Sequence, residues 1–292
     1  MTGLLPQSWW PSWQLFGETI VVGLLLGAVL PLCGTVLVLR QQMFVAAAIG
    51  QAANLGIAVV IALGLGSAHA GGHAHGELPA LGGGLLFAMA AAVAAMRALS
   101  RGASTLEASS VWTFLAGGSL SVVLLADAPH GLSEVQRLML SSLLCVGPGD
   151  VWVAGCAAVV VVLAVLLWRR RLVAWAMDPA SARAYGARVA GYDVVVGGLV
   201  GAVLGWSIHS TGLVFTFACT VLPVLAAREV GGSLRAVAVS APLIGVAAVA
   251  GGLALGNRCD LPAGQTSATV LVAVAAAAAG AVRAGRRLRR FR

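Results

Sequence analysis

The sequence predicts an all-α membrane protein, a polytopic bundle of about eight to nine transmembrane helices with one short helix on its inner face. Three observations lead there. Only 10% of the 292 residues are charged while 60% are hydrophobic, where a soluble domain carries about 25% charge. Mean hydropathy is +0.96 over the whole chain, so the apolar material is neither one anchor nor one signal peptide. The apolar runs are also continuous, without the in/out alternation of barrel strands.

Crossing about 30 Å of hydrocarbon takes roughly 20 helical residues. Nine runs qualify. Thr19–Leu39 follows the interfacial tryptophans Trp9, Trp10 and Trp13 and stops at Arg40. Phe44–Gly66 returns. Pro79–Met96 ends before Arg97 and Arg101, and Ala108–Ala126 returns again. Val151–Trp168 is closed by Trp168 and the run Arg169, Arg170, Arg171. Gly191–Ile208 leads into Gly212–Ala227, which ends at Arg228. Ala236–Gly256 and Ser267–Val282 complete the set, and a basic tail over 283–292 follows.

All 18 basic residues are arginine. With nine alternating spans, Arg137 and Arg258 fall on one face and every other arginine on the opposite face. That asymmetry places the arginine-rich face in the cytoplasm, the N-terminus outside and the C-terminus inside. The net charge of +8 and pI near 10.5 therefore mark membrane orientation, with no nucleic-acid partner implied. The tail reads as an anchor to anionic lipid. No run reads as a soluble domain, so residues 1–292 form one transmembrane domain. The first ~18 residues lack the positive n-region of a cleavable signal.

The absence of lysine excludes a P-loop ATPase within this chain and Schiff-base chemistry. The five cysteines show no CxxC or metal-finger spacing, and three lie in apolar runs as small buried hydrophobes. Glycines such as Gly197, Gly198, Gly201 and Gly205 let helices approach closely in lipid.

Three segments carry candidate chemistry. The outer loop over 67–79, SAHAGGHAHGELP, offers His69, His73, His75 and Glu77, ligand types suited to zinc and neighbouring divalent metals. The same residues also fit a solvated loop without metal. In Met177–Val189, MDPASARAYGARV, Asp178 is an N-cap with Pro179 at the first helical position. Ala182 and Gly186, four apart, leave a smooth side suited to a surface helix or to docking in a partner's groove. In GWSIHSTGLVFTFACTVLPVLAA, the residues Ser207, His209, Ser210 and Thr211 interrupt the apolar flow, and Pro223 lies within a span. Polar or kinked backbone at membrane depth survives where it faces protein or a water-filled path. The segment NRCDLPAG, with Asp260, is polar at an outer end.

Taken in order, these segments resemble the permease subunits of bacterial ABC importers for zinc, manganese or iron. LVLRQQMFVAAAIGQAANLG over 37–56 resembles the family's first cytoplasmic turn and second span. DPASARAYG is similar to its D-x-x-x-A-x-x-x-G coupling helix, matching at Asp178, Ala182 and Gly186. The run over 207–227 matches at Gly212 and Pro223, and DLPAG resembles the outer D-x-P-x-G turn. The resemblance implies a permease without enzyme activity of its own and with no permanently bound cofactor, its metal being cargo. It further implies separate ABC ATPase subunits gripping the cytoplasmic coupling helix, an extracytoplasmic metal-binding protein, and a second permease copy or paralogue. The implied location is the bacterial inner membrane.

The sequence departs from the family at the second span, where an aspartate and, four residues on, a histidine are common. Ala47 and Gln51 stand here instead. Gln51 and Asn54 share one helical side and either line a polar path or hydrogen-bond between helices. Two other classes fit the sequence less well. A gradient-driven divalent-metal carrier needs intramembrane carboxylates, and the chain has few, all near span ends. An intramembrane hydrolase needs a nucleophile–base pair, for which His209 with Ser207 or Ser210 is the nearest approach. The orientation is checked by a fluorescent-protein fusion after Arg292, expected to glow in the cytoplasm. A cysteine placed at Gly72 should take an impermeant thiol reagent from outside.

Overall fold

The computed structural model describes residues 9–65, 77–101, 106–126, 146–184, 186, 188–231 and 233–290. Side chains are described for those from 17 to 284, excepting 77, 78, 106 and 107. Hydrocarbon offers no hydrogen-bond partner, so backbone crossing it closes its bonds locally. Every regular element among the described residues is accordingly a helix. The order is α1 (Trp9–Leu39), α2 (Met43–Ala62), α3 (Glu77–Ser100), α4 (Leu106–Leu125), α5 (Pro148–Met177), α6 (Pro179–Ala184), α7 (Val189–Thr211), α8 (Leu213–Val230), α9 (Leu234–Cys259) and α10 (Ala263–Arg290). All but α6 are long and apolar enough to cross a membrane, giving nine spans among the described residues.

The expected spans coincide with these helices to within a few residues, with one informative difference. The fifth does not stop at Trp168 but continues to Met177, a further nine residues or about 13 Å. Arg169, Arg170 and Arg171 are exposed while Leu172, Trp175 and Ala176 are buried. An i, i+3, i+4 apolar stripe carries the helix past the three arginines.

Small residues set the packing. Gly197, Gly201 and Gly205 lie one turn apart on α7, and added Cβ atoms there would meet Val93, Met89 and Ala88 of α3. Gly56 of α2 faces Gly83 of α3, Gly27 of α1 faces Gly245 of α9, and Gly34 of α1 sits on the Thr220 carbonyl of α8. Such contacts replace the hydrophobic driving force that helices lack among lipid tails. Pro31, Pro223 and Pro242 lie inside α1, α8 and α9, each leaving the carbonyl four residues earlier without its helical donor. The span α2 is the most enclosed and α5 the least. Trp112, Trp152, Leu163 and Leu167 face outward from α4 and α5, over the surface that lipid covers.

Replacing Gly201 by leucine is expected to lower stability by about 1–3 kcal/mol through overpacking, because its Cβ would lie 2.6 Å from the Met89 Cα. Gly155→Leu, where nothing stands within 4 Å, should leave the detergent-phase Tm unchanged.

Candidate functional site

The turn between α5 and α7 is built from its own short-range chemistry. Asp178 ends α5, and its Oδ1 accepts hydrogen bonds from the backbone N–H groups of Ala180 (3.1 Å) and Ser181 (3.0 Å). It is thereby the N-cap of α6, with Pro179 opening the helix. The Ser181 side-chain and backbone bonds hold the Asp178 carboxyl below the usual carboxylate range. The depressed value means that the cap is complete at neutral pH and is lost as pH falls through it. Gly186 follows with φ of 80°, left-handed backbone that glycine adopts without Cβ strain. The sequence motif thus resolves into a cap, a packed alanine and a left-handed turn.

One expectation changes. The smooth side of Ala182 and Gly186 does not form one outward stripe. Ala182 is buried in the chain's own core, and Gly186 lies beyond the six-residue helix in the turn. The outward surface of α6 consists of Ala180, Ser181, Arg183 and Ala184. Beside it opens a cleft of about 670 Å³ whose lining includes Arg171, Trp175, Asp178, Ser181 and Arg188.

Behind α6 lies a polar node that sequence reasoning missed. The Arg40 guanidinium, just past α1, lies 3.6 Å from Asp193 Oδ1 in the second turn of α7, both side chains being almost fully buried. Arg40 also donates to the Met96 carbonyl (3.2 Å) and Ser100 Oγ (2.9 Å) of α3, and stacks 3.7 Å over the Trp175 ring of α5. Asp193 Oδ1 in turn accepts from Ser100 Oγ (2.6 Å) and Trp175 Nε1 (3.0 Å). Arg183 of α6 donates to the Ser100 carbonyl. Removing one partner of so buried a pair costs about 3–5 kcal/mol, since the other charge is stranded. The available signal was two opposite charges each abutting the inner end of a span.

The proposed path residues lie deeper. Gln51 and Asn54 are buried on α2, with Asn54 Nδ2 donating to Gln51 Oε1 at 3.4 Å. Gly117 and Gly118 of α4 pack directly on Gln51. Ala47 is buried one turn earlier. On the other side, α7 and α8 meet at a single residue, Gly212 (φ 86°, ψ 163°), in a region open essentially to glycine alone. This break is buried and rests on α2, where a Cβ on Gly50 would overlap Leu213. Around it Ser207, Thr211 and Thr216 form a hydroxyl cluster, with Ser207 Oγ and Thr216 Oγ1 2.8 Å apart and Thr211 Oγ1 3.3 Å from each. Thr216 and Thr220 were not singled out from the sequence. His209 is half-buried, and Ser210 donates back to the Trp206 and Ser207 carbonyls. Pro223 is buried within α8.

Asp260 is exposed in left-handed backbone (φ 51°) at the α9–α10 turn. The described contacts bring Gln51 to Asn54 but join neither to Asp260. His69, His73 and His75 fall outside the described residues, as does the side chain of Glu77, which opens α3. Among the described residues no three His, Cys, Asp or Glu side chains cluster as metal ligands.

Comparisons with known proteins agree with this architecture. The chain superposes on PsaBC from Streptococcus pneumoniae, solved in complex with Fab, with a TM-score of 0.75 and 18% identity, covering 92% of this chain and 94% of that one. A metal-chelate type ABC transporter in an inward-facing conformation matches with a TM-score of 0.66 and 16% identity, over 94% and 90% of the two chains. No curated protein matches significantly. The model of the ABC 3 transport family matches residues 12–281, and this multi-pass membrane chain therefore belongs to that family.

Proposed function

We propose that the chain is the membrane-spanning permease subunit of an ABC importer for a divalent metal ion, whether zinc, manganese or iron. Two copies, or one with a paralogue, form the path across the bacterial inner membrane. Separate ATPase subunits supply the energy, and an extracytoplasmic protein delivers the metal. The observation that carries this reading is α6, a capped six-residue helix presented on the arginine-rich face between Asp178 and the left-handed Gly186. A helix so short is held by its ends and by Ala182, leaving Ala180, Ser181, Arg183 and Ala184 outward for a partner.

In this reading the inner path is permissive. With Ala47 and Gln51 where relatives commonly carry charged or imidazole ligands, Gln51 and Asn54 offer amide oxygens that bind a hydrated cation weakly. His209, Ser210, Pro223 and Asp260 belong to the route above them, and selection falls to the delivery protein. His69, His73, His75 and Glu77 would raise local metal concentration at the mouth. A carrier driven by an ion gradient finds no support in the membrane interior. The one buried carboxylate among the described residues is Asp193, already engaged by Arg40, Ser100 and Trp175.

Reconstitution tests this directly. Vesicles containing the chain with its ATPase and delivery protein should accumulate metal only with ATP, whereas vesicles holding the chain alone should not, even under a proton gradient. Gly186→Val forces a β-branched residue into left-handed backbone at about 1–2 kcal/mol. It should cut ATP-driven uptake while leaving membrane insertion intact, and unchanged uptake would count against α6 as the coupling element. Replacing His69, His73 and His75 by alanine should slow uptake at scarce external metal and leave the saturated rate unchanged.

A further inference from the structure

We propose that the Arg40–Asp193 pair is the joint through which displacement of α6 reaches the spans, so that Arg40, Asp193 and Ser100 are positioning residues for transport. This rests on the permease reading above and adds residues that it does not include.

A coupling helix must push on something. Its covalent neighbours are α5 through Asp178 and α7 through the turn at Gly186, and a left-handed glycine with open space around its Cα transmits little force by itself. The non-covalent route is better defined. Arg183 of α6 donates to the Ser100 carbonyl at the end of α3. The Ser100 hydroxyl donates to Asp193 on α7 and accepts from Arg40 at the end of α1. Trp175, near the end of α5, donates its indole N–H to the same carboxylate oxygen and offers its face to the same guanidinium. The inner ends of four spans thus meet at one oxygen, Asp193 Oδ1, and one cation, and α6 reaches them through the Ser100 carbonyl.

The surroundings make this contact stiff. Both charged side chains are excluded from water, so neither is screened and neither can separate without stranding a charge in apolar surroundings. A planar guanidinium held by a carbonyl, a hydroxyl, a carboxylate and a ring face has its orientation fixed, which lysine could not reproduce. From the joint, α1 bears on α9 and α8, while α7 bears on α3 and α2. The latter includes the buried turn at Gly212 that rests on α2 beside Gln51. Displacing the joint therefore moves both flanks of the proposed path together, as rigid elements sharing one fixed contact.

The experiment separates a joint from a mere structural prop. Arg40→Gln and Asp193→Asn each strand one buried charge, and their folding defects alone would be ambiguous. The double variant Arg40→Gln/Asp193→Asn leaves no unpaired charge and is expected to fold, to insert and to bind the ATPase as wild type does. Reconstituted with ATPase and delivery protein, it should move about tenfold less metal per ATP hydrolysed, within the usual range of coupling between sites. Ser100→Ala, which removes one link and keeps the pair, should give a smaller loss in the same ratio. Metal moved per ATP is the deciding readout, because a purely structural role would lower yield and rate without changing that ratio. A wild-type ratio in the double variant would overturn the proposal. Failure of the wild-type chain to transport with any ATPase would instead overturn the permease reading itself.

Discussion

Lipid supplies no hydrogen-bond partners, and that constraint governs the whole molecule. It requires helices, since only a helix closes its backbone bonds without neighbours. It also decides what polar side chains do inside the bundle. Thr35, Ser210, Thr211, Thr220 and Ser267 each return a hydroxyl bond to a carbonyl three or four residues earlier on their own helix. Gln51 and Asn54 bond each other. The buried ion pair, Arg40 against Asp193, is held by matched polar atoms around it, with the Arg40 Nε the exception. Where lipid is the solvent, polarity gathers into a few dense clusters, and those clusters are where motion and cargo can be handled.

Seen this way, the bundle has three levels. At one end α6 and the Arg40–Asp193 node tie four helix ends together. At the opposite end lie exposed turns such as that at Asp260. Between them α2 is clasped by α4, whose Gly117 and Gly118 close on Gln51, and by the α7–α8 turn at Gly212. Glycine contacts between α3 and α7, and between α1 and α9, keep these levels in register. Helices that touch backbone to backbone slide or tilt as units more readily than they deform.

The sequence was most legible where a single physical rule dominates. Continuous apolar runs located the spans. Asp178 and Pro179 announced a cap and a first helical residue, whereas Gly186, read as part of a helical face, proved to be a left-handed turn. It was least legible where partners are distant in the chain. Arg40, Ser100, Trp175 and Asp193 are spread over 150 residues of sequence, and no local pattern pairs them. The extension of α5 past Trp168 was hidden by three consecutive arginines, whose charge masked the Leu172, Trp175 and Ala176 stripe. Ala182 was misjudged because small residues four apart look alike whether they face a partner or the chain's own core. The hydroxyl cluster at Thr216 was obscured because threonine inside an apolar run usually bonds only its own helix.

In the proposed mechanism α6 and the ends of α1, α3, α5 and α7 that meet at Arg40 and Asp193 move as one body when the ATPase closes. Spin labels at the exposed positions Ala184 on α6, Arg101 after α3 and Arg228 on α8 would measure it, in a reconstituted transporter whose native cysteines have been replaced. The account predicts that the distance from 184 to 101 stays fixed between nucleotide-free and nucleotide-bound states while the distance from 184 to 228 changes. A change in the first distance as large as that in the second would contradict it.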